Sequence, residues 1–275
     1  MIRRKRIWIT GASSGIGKAL ALKLAAGNNT VVISGRSGES LEAVVRECHT
    51  TVADADINAL VYDVTADDAT SSTTRKLGEM VGGLDMVVVC AGHCEYVDNA
   101  ECDVEMFRRV YDVNVFGAVN TISVALPLLR ASGLEAAAQQ SGADKPQVVA
   151  VSSLSTVVGL PRAEAYGSSK AAMSYLFDSL RLDLHDAKID VTVVNPGFVQ
   201  TPMTSKNDFP MPFLMQPDEA ADCMIRGIAA RKRRVNFPIR LWLNLKLASL
   251  VPALWYTVIG PKLARNDSRI DAGKK

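Results

Sequence analysis

The chain has 275 residues, 48% hydrophobic and 22% charged, with 19 Gly and 11 Pro, the composition of a soluble globular protein rather than a disordered, collagenous or coiled-coil one. Thirty-one Lys and Arg against 29 Asp and Glu leave a formal charge of +2, too balanced for a protein whose main partner is a phosphate backbone, which argues against nucleic acid. Five scattered cysteines, Cys48, Cys90, Cys94, Cys102 and Cys223, form no disulfide framework and fit free thiols in a reducing, cytoplasmic setting.

In chain order, the basic segment Met1–Arg6 is followed by only three apolar residues, Ile7, Trp8 and Ile9, so no secretory h-region is expected. Apolar runs rich in Val and Ile then recur at Arg6–Thr10, Thr30–Ser34, Ala59–Tyr62, Met86–Val89, Val148–Ser152, Val191–Val194 and Arg234–Phe237. Most are nearly continuous, the mark of strands buried on both faces. Between them, Ile16, Leu20 and Leu24, then Leu41, Val44 and Val45, then Met173, Leu176, Leu180 and Leu184 follow helical spacing. This alternation predicts an α/β fold: a doubly wound parallel sheet of about seven strands with helices on both faces. The stretch Arg130–Pro146 breaks the rhythm and reads as a helix end followed by a long surface loop. Two regions are expected, a dinucleotide-binding and catalytic domain over 1–238 and an apolar, basic extension over 239–275.

The run Thr10-Gly11-Ala12-Ser13-Ser14-Gly15-Ile16-Gly17 stands between the first strand and the first helix. Glycines there permit a tight turn and close backbone approach, and the helix start offers unpaired N–H groups to a pyrophosphate. The second strand ends Ser34-Gly35-Arg36. An acidic residue at that tip would hold the ribose hydroxyls of NAD; Arg36 instead suits a 2′-phosphate. NADP(H) is therefore the expected cofactor, with NAD(H) as the alternative.

Tyr166 and Lys170 are four residues apart and share one helix face. A phenol with a pKa near 10 needs roughly 4 kcal/mol to work near neutrality. A cation about 4 Å away at an effective dielectric of about 20 supplies that order of energy. The pair is thus read as an acid/base phenol tuned by an ammonium.

With these motifs in order, the chain resembles the short-chain dehydrogenase/reductase family of NAD(P)-dependent oxidoreductases over roughly Lys5–Phe237. Thr10–Gly17 is similar to the family's Thr-Gly-x-x-x-Gly-x-Gly turn, and Tyr166 to Lys170 to its Tyr-x-x-x-Lys. The family's serine, 13 residues before the tyrosine, falls on Ser153, with Ser152 and Ser155 as lesser choices. Asn114 matches the asparagine that completes a catalytic tetrad. The resemblance implies a Rossmann-type fold in which Ser153 holds the substrate oxygen and Tyr166 transfers the proton. Lys170 is implied to lower the phenol pKa and bind the nicotinamide ribose, and Asn114 to hold a water. It implies cofactor contacts from Gly11, Ser13, Ser14, Gly15, Ile16, Gly17, Arg36, Asp63, Val64, Ala91, Gly92, Asn114, Tyr166, Lys170, Pro196, Gly197, Val199 and Thr201. One departure is Cys90-Ala91-Gly92 where the family usually reads Asn-Ala-Gly, removing an amide that steadies neighbouring strands. Cys90, His93, Cys94 and Cys102 match no zinc-knuckle spacing, and no metal is expected.

Phe198–Met215 is apolar without helical order; the family resemblance implies a substrate lid there, and its Met and Phe suit an adaptable apolar pocket, so a bulky hydrophobic carbonyl compound or alcohol is the expected substrate. Arg231–Arg234 are read as cations complementing a helix carboxyl end. Ile239–Leu263 combines leucines and aromatics with Arg240, Lys246 and Lys262, the composition of an interfacial helix. The uncharged stretch Leu247–Pro261 is broken by Pro252 and is too short to span a bilayer. Pocket closure, peripheral membrane contact and a homo-oligomer interface all remain open for this extension, and a homo-oligomer is expected. The leading expectation is NADP(H)-dependent interconversion of a hydrophobic ketone or aldehyde with its alcohol. NAD-dependent oxidation of a secondary alcohol is the second reading, and a non-catalytic NADPH-binding regulatory protein is the reading from another class.

Overall fold

The computed structural model describes residues 2–66, 70–98, 102–138 and 145–263. Seven parallel strands, β1 (Arg6–Thr10), β2 (Thr30–Gly35), β3 (Ile57–Val61), β4 (Met86–Val89), β5 (Gln147–Val151), β6 (Asp190–Pro196) and β7 (Arg234–Phe237), form one sheet in the order β3-β2-β1-β4-β5-β6-β7. Strand side chains alternate between its faces. Ile7, Ile9, Val31 and Ile33 go to one side, against Leu20 and Leu24 of α1 (Gly15–Ala25), Leu41 of α2 (Gly38–Thr51), and further helical residues at Ala220, Met224 and Ile228. Trp8, Val32, Val87 and Val148 go to the other, against Leu77 of α3 (Thr70–Val81) and more distal residues Ile122, Leu129, Met173 and Phe177. Burial on both faces is why the strands read as unbroken apolar runs.

β3 begins two residues before the expected Ala59. It is an edge strand whose Asn58 and Val61 are exposed, so it carries half the apolar signal of its neighbours. α4 (Val104–Tyr111) runs through a π-helical turn at Asp112–Phe116 into α5 (Gly117–Ala138). That helix continues to Ala138, well past Arg130; part of the loop expected up to Pro146 lies outside the described residues. The 104–135 run is apolar and long enough to cross a membrane, but Ala118, Ile122, Val124, Ala125 and Leu129 are buried within the fold, as in a core helix.

α6 (Glu164–Asp183) and α7 (Pro217–Ala229) complete the two layers. Arg231 and Lys232–Arg234 lie beyond the last turn of α7. Three of the four also pair with carboxylates: Arg231 with Asp190 at 2.8 Å, and Arg233 and Arg234 both with Asp178. After β7, α8 (Ile239–Leu250) and a terminal helix (Pro252–Leu263) meet at 102°. Leu241, Leu245, Ala248 and Trp255 form a third apolar cluster with Leu154 and Val158.

Because β1 lies between β2 and β4, the chain changes direction across the sheet at β1, and a crevice opens beyond the carboxyl ends of these strands.

Candidate active site

A cleft of about 660 Å³ occupies that crevice, within the range of cofactor sites. Its floor is the glycine turn. Gly11 has φ +68°, and a Cβ there would stand 2.6 Å from the Ala91 Cα; a Cβ at Gly17 would stand 2.3 Å from the Gly11 carbonyl oxygen. Side chains are thus excluded where backbone crosses backbone. α1 starts from Ser14, whose side chain makes no capping bond, so the first-turn N–H groups stay available to an anion. Every expected cofactor residue lines this cleft except Asn114. Arg36 is exposed at the tip of β2, next to Gly35, and lines the cleft. The donor set and the bare turn fit a nicotinamide dinucleotide.

Thr10 and Cys90 explain how the departure at the end of β4 is accommodated. The Thr10 hydroxyl accepts hydrogen bonds from the Cys90 and Ala91 N–H groups at 3.3 and 3.4 Å and donates to the Val88 carbonyl at 3.5 Å. A buried threonine on β1 therefore stitches the two strand ends where the family's asparagine amide is missing. Burial pushes the Cys90 and Cys94 thiols up to about 11, keeping both neutral.

Asn114 is fully buried in the π turn. Its Oδ1 accepts from the His93 N–H at 2.8 Å, and its Nδ2 donates to the His93 carbonyl at 2.8 Å and to the Ser169 hydroxyl at 2.9 Å. The side chain is committed to joining the Gly92–His93 strand exit to α6, while its neighbours Asp112 and Val113 face the cleft.

The three serines after β5 separate by their contacts. The Ser152 hydroxyl is bonded to the Lys170 carbonyl at 3.0 Å and to the Ser174 hydroxyl at 2.7 Å. The Ser155 hydroxyl is buried without a partner. Ser153 lines the cleft, accepts from the Ser155 N–H at 3.1 Å, and draws the Tyr166 pKa downwards.

Tyr166 and Lys170 both line the cleft from α6, as the spacing predicts. Their electrostatics differ from the expectation. Burial holds the phenol well above its ordinary pKa, the Ser153 hydroxyl pulling the other way, and burial lowers Lys170 to about 8. The Lys170 ammonium stands 6.0 Å from the centre of the phenol ring and donates to the Val151 carbonyl at 2.9 Å. Desolvation, which both groups share, is the largest cause of each shift.

Outside the residues that line the cleft, Tyr96 packs edge-on against Phe209 at 5.3 Å between ring centres, and Phe209 packs against Phe198 at 6.1 Å. Arg162 ties the segments that carry Tyr96 and Phe209 together: its guanidinium pairs with Asp98 and, at 2.9 Å, with Asp208, lies over the Tyr96 ring, and donates to the Val97 carbonyl at 3.3 Å. The loop that follows Ser153 is held from the far end of the chain. The Trp255 Nε1 donates to the Gly159 carbonyl at 3.0 Å, and the Gly159 N–H donates to the Tyr256 hydroxyl at 3.2 Å. His93 and Arg109, which line the cleft, are clamped by Glu95, whose carboxyl is drawn down to about 2 mainly by the Arg109 guanidinium. Sequence reasoning missed Thr10, Glu95, Arg109 and Arg162 as parts of the site; only Thr10, a polar residue closing a buried strand opposite Cys90, carried a readable signal. Among the described residues no group of three His, Cys, Asp or Glu side chains could hold a metal.

Residues 5–210 match the family model described as short chain dehydrogenase. An oxidoreductase of Myxococcus xanthus is 37% identical over 244 residues, covering 89% of this chain and 91% of its own. One from Mycobacterium tuberculosis is 28% identical over 265 residues, covering 96% and 97%. Among solved structures, Pseudomonas aeruginosa RhlG in an active-site complex with NADP superposes with a TM-score of 0.75 at 26% identity, covering 85% of this chain and 95% of that one. A short-chain dehydrogenase/reductase of Burkholderia phymatum in complex with NAD shares the fold, with a TM-score of 0.78 at 19% identity over 91% and 95%. A match over most of the chain, joined to relatives that align along nearly their whole length, makes this protein a member of the short-chain dehydrogenase/reductase family of NAD(P)-dependent oxidoreductases.

Proposed function

We propose that the protein interconverts a hydrophobic ketone or aldehyde and its alcohol, with NADP(H) as the hydride partner. The observation that carries this reading is the convergence of Ser153, Tyr166 and Lys170 in a cleft that also contains Arg36 and a bare glycine turn. The dinucleotide, when bound, supplies hydride for reduction and accepts it in the reverse direction. Tyr166, kept protonated by burial, gives its proton to the carbonyl oxygen, which the Ser153 hydroxyl orients by a hydrogen bond. Lys170, charged near neutrality, holds the ribose side of the cofactor and supports the phenolate left behind. The aromatic cluster of Tyr96, Phe198 and Phe209 supports an apolar substrate body.

Arg36 supports NADP(H) over NAD(H): a charge-assisted hydrogen bond to a 2′-phosphate contributes about 1.5–3 kcal/mol, about ten- to a hundredfold in affinity. The test is a titration of wild type and Arg36→Ala with NADPH and NADH by fluorescence at fixed salt. NADPH should bind at least about tenfold tighter to wild type, and the variant should lose that preference. Equal binding of the two by wild type would remove the clamp and turn the search towards NAD-dependent alcohol oxidation.

A further inference from the structure

We propose that α8 and the terminal helix form a docking face for an anionic lipid bilayer. The two helices carry apolar residues on both sides. The inward set, Leu241, Leu245, Ala248 and Trp255, is consumed by packing on Leu154 and Val158. The outward set is not: Leu243, Leu247, Leu250 and Leu254, spaced by four, three and four residues, are each 47–67% exposed, and Tyr256, Ile259 and Leu263 continue the apolar surface. An exposed apolar area of this continuity marks an interaction site.

Charge selects the occupant. Between Ile239 and Leu263 the only charged residues are Arg240, Lys246 and Lys262, all exposed, and there is no Asp or Glu. A second copy docking through the same face would bring like charges together, whereas anionic headgroups neutralise them. A straight span does not fit: α8 has 12 residues, about 18 Å of helix against a hydrocarbon core of about 30 Å, and the chain turns by 102° at its end. The helices therefore lie along an interface with cations at headgroup level. Since Trp255 and Tyr256 grip Gly159 in the loop that continues from Ser153, docking would set the substrate walls near the lipid; this corollary rests on the proposed function, the docking itself does not.

The experiment is flotation of the full chain with phosphatidylcholine vesicles, with and without phosphatidylglycerol. Wild type should float with the phosphatidylglycerol vesicles and be released by high salt. Leu247→Glu combined with Leu250→Glu, and separately Arg240→Glu combined with Lys246→Glu, should each cut the bound fraction by on the order of tenfold while the thermal midpoint and NADPH affinity stay unchanged. Wild type that stays unbound with both vesicles overturns the proposal, as does undiminished flotation of both variants. An oligomer in lipid-free buffer that the leucine variant dissociates, with no vesicle binding by wild type, would assign the face to a second copy instead.

Discussion

The ammonium of Lys170 donates to the main-chain carbonyl of Val151 at 2.9 Å and stands 6.0 Å from the centre of the Tyr166 ring. In the protein alone, the lysine is anchored to the end of β5 rather than paired with the phenol. Burial lowers its pKa from 10.5 to about 8, so the folded chain binds fewer protons than the unfolded chain between these values. The destabilising effect of burying this charge is complete below about pH 8 and is relieved as pH rises towards 10.5. Against Lys170→Met, wild type should therefore gain relative stability across that window, by on the order of 3 kcal/mol. Paired denaturant titrations at neutral and alkaline pH check this. The reductase rate should be level near neutrality and decline as pH rises through about 8, where Lys170 loses its charge.

Tyr166→Phe keeps the ring and deletes the transferable proton. Turnover should fall by roughly 10²–10⁴-fold while NADPH binding stays within a factor of about two. Single-turnover rates beside a binding titration separate the two effects. A fully active Phe variant would remove Tyr166 from the chemistry.

Thr10→Val replaces a buried hydroxyl that serves two N–H groups. Leaving the Cys90 and Ala91 amides without a partner should cost about 1–3 kcal/mol, read as a lower urea midpoint.

Glu95→Gln tests the clamp beside the cleft. A carboxyl drawn from 4.5 down to about 2 stabilises the fold fully above pH 4.5, and the contribution disappears as pH falls through about 2. The difference in stability between wild type and Glu95→Gln should be present at neutral pH and fade over that acid range in pH-dependent unfolding.

Arg162→Ala removes a side chain that pairs with both Asp98 and Asp208. If, as proposed, the Tyr96 and Phe209 segments hold the substrate body, KM for a bulky carbonyl compound should rise by about tenfold with kcat nearly unchanged, since Arg162 lies outside the cleft that holds Ser153 and Tyr166. Arg162→Lys should rescue little, since an ammonium cannot serve two carboxylates in a planar fork.

The layered sheet was legible in the sequence because its central strands bury both faces and so leave continuous apolar runs; β3, an edge strand with Asn58 and Val61 exposed, was legible only from Ala59. Tyr166, Lys170 and the glycine turn were legible because their chemistry depends on short spacing. Arg162 with Asp208 and Glu95 with Arg109 were not, since each pair joins separate segments and no local pattern records it. Ser153 was placed by its 13-residue offset from Tyr166, yet its distinction from Ser152 and Ser155 came only with the hydrogen bonding of their hydroxyls.

The Arg162 tie has a consequence for how such a protein can diversify. The turn, the strand ends and α6 fix the hydride end through backbone geometry that tolerates little change. The segments that carry Tyr96 and Phe209 are instead joined through side chains, the Arg162 guanidinium among them. If these segments receive the substrate, as proposed, replacements along 207–215 alter which molecules are admitted while the reaction itself is inherited intact, so that selectivity and chemistry are free to drift at different speeds.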